Sequence, residues 1–318
     1  MGVLMAVGAT EVAWCSTIAA PTELATADSV NPGMGVPVWT IIVGGVAAAI
    51  FAGSGWGRLR RVPVRPWRFG PGAGVLTFLI AIVAGAVCGG IAAGVLGMNA
   101  DSSPTLAELL PIMGASWLGQ LAAASCLPLV RGVVDPPAAG MGRGLPRSRG
   151  VGCPDRRKGR VYAGLVGGVG LVLFWPMTLA AAGIAGVMWY WLSGHPPSTV
   201  AHELLRQLET EPSSSMRIAV AASVIVFPAV IEEVLYRGLL QESFRRARLF
   251  SSGAPWQSIV LASLIFTAMH IGAVDPHGLA GLFVLSLGFG WAYAKTGRLT
   301  ASIVMHMAFN AGNLILVM

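Results

Sequence analysis

The sequence predicts an all-α fold, a polytopic transmembrane bundle of about eight spanning helices, and three observations carry the prediction. Only 11% of the 318 residues are charged and 55% are hydrophobic, whereas a soluble domain carries roughly 25% charged residues. Residues 71–98 and 161–201 contain no Asp, Glu, Lys or Arg, and about 20 consecutive apolar residues cross a bilayer core as a helix. Glycine occurs 42 times. That number would weaken helices in water, but small residues let helices approach closely in lipid.

Apolar runs place spans at about 36–57, 71–98, 106–130, 161–192, 217–243, 256–272, 278–295 and 299–318, with a kink expected at Pro176. Pro- and Gly-rich connections separate them. Residues 1–35 remain unassigned, because Glu11 interrupts their apolar stretches and no basic residue precedes them, which is a poor signal peptide. The chain then divides into N-terminal membrane helices over 36–160, carrying a basic loop at 131–160, and a membrane core over 161–318.

Charge placement tests this count. Of the 21 Lys and Arg, 18 fall in the connections 58–68, 131–160, 245–248 and 295–298. With eight spans all four clusters lie on one face, which the positive-inside rule makes cytoplasmic, so that both termini lie outside. The alternate loops carry Asp101, Glu203, Glu209, Glu211 and Asp275. Cysteines introduced as Leu145→Cys and Leu205→Cys are therefore expected to label from opposite sides of the membrane, and same-side labelling would break the eight-span topology. The net charge of +7 is accounted for by helix ends facing anionic headgroups. The lipid bilayer is the expected partner of these charges, and nucleic acid is not needed. Cys15, Cys88, Cys126 and Cys153 show no metal-binding spacing, and Cys88 and Cys126, inside apolar runs, read as small core residues rather than a disulfide or metal set.

Against this background the ionisable residues inside the last third stand out. The fifth span holds Glu232, Glu233 and Arg237, the sixth His270 four residues after Phe266, and the eighth His306 four residues before Asn310. A charged side chain at membrane depth costs about 2.5–3.5 kcal/mol on insertion scales, so these residues need one another. Residues four apart share a helix face, which pairs Glu233 with Arg237 and sets His306 beside Asn310. Glu232 is turned about 100° from Glu233, toward the histidines of other helices. A buried carboxylate can accept a proton from water, and an imidazole or amide N–H can stabilise an oxyanion. Tyr236 and Phe266 read as packing, His277 as an exposed loop residue beside Asp275 and Pro276, and His195 and His202 as parts of a polar outer loop.

These motifs resemble those of the CAAX-protease and bacteriocin-processing (CPBP, or Abi) intramembrane peptidases. Glu232-Glu233-x-x-x-Arg237, Phe266-x-x-x-His270 and His306-x-x-x-Asn310 follow the family's order, and the Thr296-Gly297-Arg298 turn is similar too. The resemblance spans about 217–318 and implies endopeptidase action on a membrane-associated peptide or protein, as in CAAX-type or leader-peptide processing. It implies that Glu232 and His270 activate water, that His306 and Asn310 stabilise the oxyanion, and that Glu233 and Arg237 position the site. No cofactor is favoured. The family is often described as metallopeptidase, and Glu232, His270 and His306 could ligate zinc, although the sequence has no HExxH motif. Two other readings compete. A proton-coupled transporter would also bury Glu, His and Arg, although no internal repeat supports it. A non-catalytic immunity or scaffold member of the same family would retain the fold.

Overall fold

The computed structural model describes residues 38–59, 69–98, 105–134, 156–194, 213–247, 255–272 and 274–317. Within them the chain forms α1 (Val38–Gly53), α2 (Pro71–Val95), α3 (Leu106–Ser125), α4 (Leu127–Val134), α5 (Arg156–Ser193) and α6 (Ser214–Glu232). A π-helical stretch, Glu233–Gln241, continues α6 directly into α7 (Glu242–Arg246), and α8 (Pro255–Ala268), α9 (Pro276–Thr296) and α10 (Leu299–Val317) follow. The described residues hold no strand, and Ile271 and Val274 form one isolated bridge. Residues 1–35, the centre of the 131–160 loop, His195 and His202 lie outside the described residues.

The helices begin and end where local chemistry directs. Pro71 and Pro276 open α2 and α9, positions where a missing N–H costs nothing. Glu108 accepts from the Thr105 backbone N–H at 2.8 Å at the start of α3. α9 stops at Gly297, whose φ of 65° is left-handed, the conformation that glycine adopts without a Cβ penalty. The Gly297 N–H bonds the Tyr293 carbonyl at 2.7 Å.

Five helical segments are long and apolar enough to cross a membrane, and three shorter apolar helices, α1, α8 and α10, stand where the remaining spans are predicted. The surface agrees with a lipid solvent. Leu79, Val83, Val87 and Ile91, four apart along α2, are all exposed, a stripe that would be an aggregation liability in water.

The third predicted span is occupied by a membrane-length segment, Leu106–Val130, in which α3 passes into α4 at Cys126. α5 carries Pro176 inside one continuous helical element; α1 packs against it there, where a Cβ on Gly44 would stand 2.7 Å from the Pro176 carbonyl oxygen. His277 lies in the first turn of α9, half-buried, rather than in an exposed loop.

Packing joins the two halves of the chain. α5 lies against α1, α9 and α10, while α2 pairs with α3. The Trp291 indole and the Lys295 ammonium both donate to the Trp56 carbonyl, each at 3.1 Å, and Trp256 donates to the Gly57 carbonyl at 3.1 Å. Backbone groups freed at the end of α1 are thus satisfied by side chains of α8 and α9. The π-helical stretch sits centrally, in contact with α2, α8, α9 and α10.

Candidate active site

The site is built around an irregularity in one helix. Pro228 lies inside α6 and has no N–H, so the carbonyl of Val224, four residues earlier, loses its helical donor. The Asn310 side-chain nitrogen donates to that oxygen at 3.2 Å. Four residues beyond Pro228 the helix loosens, and from Glu233 to Gln241 it is π-helical, a rare geometry that recurs at functional sites.

On this stretch Glu233, Arg237 and Gln241 are all buried; Glu233 meets α10, while Arg237 and Gln241 face α9. Glu233 Oε1 lies 3.2 Å from Arg237 Nη1. Arg237 Nη2 donates to the Ser286 carbonyl at 3.1 Å and to its hydroxyl at 2.8 Å. One further turn along, Gln241 donates to the Gly290 carbonyl at 3.2 Å. The guanidinium carbon is 4.9 Å from the Phe266 ring centre and 5.2 Å from that of Phe289. A carboxylate, two oxygens of Ser286 and two ring faces thus compensate a charge that lipid would not solvate.

The histidines are held by their Nδ1 atoms. His306 Nδ1 lies 3.0 Å from Glu233 Oε1, and its ring stacks on Phe289 with centroids 4.5 Å apart. His270 Nδ1 lies 2.7 Å from the Phe266 carbonyl oxygen. Carboxylate and carbonyl oxygens only accept, so in the neutral rings Nδ1 carries the proton and Nε2 presents its lone pair. His306 Nε2 is 4.0 Å from Glu232 Oε2. His270 Nε2 has no hydrogen-bond partner among the described residues.

Glu232 and His270 both line a cavity of about 60 Å³ between α2, α3, α6 and the end of α8, room for a few water molecules. The adjacent glutamates therefore have different surroundings: Glu233 is sealed in, whereas the Glu232 side chain keeps 13% of its surface. Of the six sequence-predicted residues, Glu232, Glu233, Arg237 and His306 form one connected cluster, and His270 shares the cavity with Glu232. Asn310 is tied by its amide nitrogen to the Val224 carbonyl of α6 and is not among the residues that line the cavity.

Sequence reasoning missed Ser286, Gln241, Phe289 and Gln120. The first two had a signal, because Ser286 and Gly290 repeat on α9 the four-residue spacing of Arg237 and Gln241. Gln120 had a weaker one, as a lone amide in an apolar run.

Among the described residues no group of three His, Cys, Asp or Glu side chains could hold a metal ion. In this arrangement Glu232, His270 and His306 do not form a ready zinc-binding set.

No curated protein and no solved structure matches the chain. A family model does, over a segment that contains the π-helical stretch and all six predicted residues. With its long apolar helices the chain is an integral membrane protein, and residues 214–312 match the protease family described as type II CAAX prenyl endopeptidase Rce1-like, the family its three motifs resemble.

Proposed function

We propose that this chain is an intramembrane endopeptidase that hydrolyses a peptide bond in a membrane-associated protein or peptide, of the CAAX or leader-peptide type, with its basic loops on the cytoplasmic face. The observation that supports this most is the sharing of one small cavity by Glu232 and the unpartnered Nε2 of His270, beside a second glutamate already neutralised by Arg237.

The chemistry follows from what each atom can accept. Glu232 Oε2 and His306 Nε2 face each other across 4.0 Å, a gap that a relay water, separate from the one that attacks, can bridge. Glu232 takes a proton from the attacking water, while His270 Nε2 accepts the other O–H and orients the oxygen lone pair toward the scissile carbonyl. The proton then moves from Glu232 to His306 Nε2. The resulting imidazolium is stabilised at Nδ1 by Glu233, and its new N–H can bind the oxyanion and later protonate the leaving amine. Arg237 pairs with Glu233 and holds its carboxylate in place for this purpose. Asn310 acts through the backbone, holding the Val224 carbonyl of the helix that carries both glutamates.

Comparing the peptides of membranes containing wild type with those containing Glu232→Ala tests the reading. Released fragments are expected in the first and absent from the second, and their appearance should survive a metal chelator, because no step uses a metal. Identical peptide sets would show that the chain does not cleave under those conditions through Glu232, and would favour the non-catalytic reading.

A further inference from the structure

The cavity has a wall that the family match does not reach. Besides Glu232 and His270 it is lined by Ile82 and Ala86 of α2 and by Trp117 and Gln120 of α3, all outside residues 214–312. Gln120 is 5% exposed and the only amide side chain among the lining residues. Room has been made for it. A Cβ on Gly85 of α2 would stand 2.7 Å from Gln120 Cγ and 2.8 Å from its Nε2, so the side chain lies across a helix surface that any larger residue would close. Tyr236, another polar lining residue, has its ring fixed edge-on between Phe78 at 5.1 Å and Phe266 at 4.9 Å.

A peptide drawn into this site brings a backbone N–H and C=O into largely apolar surroundings, where each needs a partner. The proposed reaction engages Glu232, His270 and His306 with water and the oxyanion. A carboxamide offers two N–H donors and a carbonyl acceptor, which is the complement of a peptide group, and even one internal contact leaves capacity for another. We infer that Gln120 is a substrate-binding residue, hydrogen-bonding a backbone amide of the peptide next to the scissile bond from the α3 wall. This rests on the peptidase reading above.

The test uses a synthetic peptide spanning a bond found cleaved in the membrane comparison, with purified full-length wild type, Glu232→Gln, Gln120→Met and Gly85→Ala. Gln120→Met keeps the length and removes the polarity; it is expected to raise KM about tenfold, as for a peptide polar group left unpaired, with kcat close to wild type. Gly85→Ala keeps the glutamine but displaces its amide, and is expected to raise KM in the same direction. In a series of peptides with single backbone amides replaced by esters, one replacement that weakens binding to wild type should have no further effect on Gln120→Met. A structural role would not produce that dependence. An unchanged KM in both variants, or ester effects identical with and without Gln120, would overturn the assignment. If Gln120→Met does not fold, Gly85→Ala carries the same ester comparison and decides it. Failure of the peptidase reading shows elsewhere, as wild type and Glu232→Gln leaving the peptide equally intact or cutting it equally well, and the role for Gln120 falls with it.

Discussion

Glu232→Gln is expected to lower peptidase turnover by about 10²–10⁴-fold, the usual worth of a general base, while the protein still inserts and folds. Glutamine keeps the shape and hydrogen-bonding reach of the side chain and removes only its ability to take the proton. Glu232 keeps 13% of its side-chain surface at the cavity edge, and glutamine can still take part in the neutral hydrogen bonds there, so the fold is expected to persist. A peptidase assay beside thermal unfolding of the purified protein checks both halves. Full activity, or unfolding as severe as that of a buried-charge variant, would remove Glu232 from proton transfer.

Glu233→Gln should fail in the other way. Its carboxylate is fully buried and touches Arg237 at 3.2 Å and His306 at 3.0 Å. Neutralising it leaves the guanidinium with Ser286 and two ring faces but no counter-charge, and breaking a buried pair from one side costs about 3–5 kcal/mol. Stability in detergent and activity are expected to fall together. Arg237→Met should also destabilise, since the buried Glu233 carboxylate then loses its counter-charge and keeps hydrogen bonding from the His306 ring. The double variant Glu233→Gln with Arg237→Met should regain part of the lost stability, because neither charge is left alone. Thermal unfolding of the three variants beside wild type reads this directly. A double variant less stable than both single ones would mean that the pair is not the unit on which the fold depends.

The contrast between two neighbouring glutamates was legible because helical geometry fixes it: adjacent residues diverge and residues four apart converge. Glu233 beside Arg237 needed nothing more than that rule. The spans were legible for a similar reason, since long uncharged runs have few alternatives, and each of the eight predicted positions carries a helix. What local pattern does not encode is where a helix departs from regularity. Nothing in Glu233–Gln241 marks a π-helix by composition. Asn310 reads as a neighbour of His306 until the effect of Pro228 on the Val224 carbonyl, 86 positions away, gives it a different partner. Gln120 was hidden for a comparable reason, because it reaches the cavity from a helix that shares no motif with the other residues.

The shortness of α8 bears on where the second reactant comes from. Its 14 residues reach about 21 Å, against a hydrocarbon core of about 30 Å, and α9 with 21 residues reaches about 32 Å. Between them lies the turn that carries His270, whose backbone bonds are made internally: His270 N–H to Thr267, Ile271 N–H to Ala268 and Val274 N–H to His270. A helix that ends before the far headgroups either draws the leaflet toward it or lets solvent dip to its tip. In the proposed reaction, both would bring water toward the imidazole that orients it. On that proposal the length of one helix governs hydration of the site, and the acyl-chain length of the host membrane is expected to enter the rate alongside the side chains.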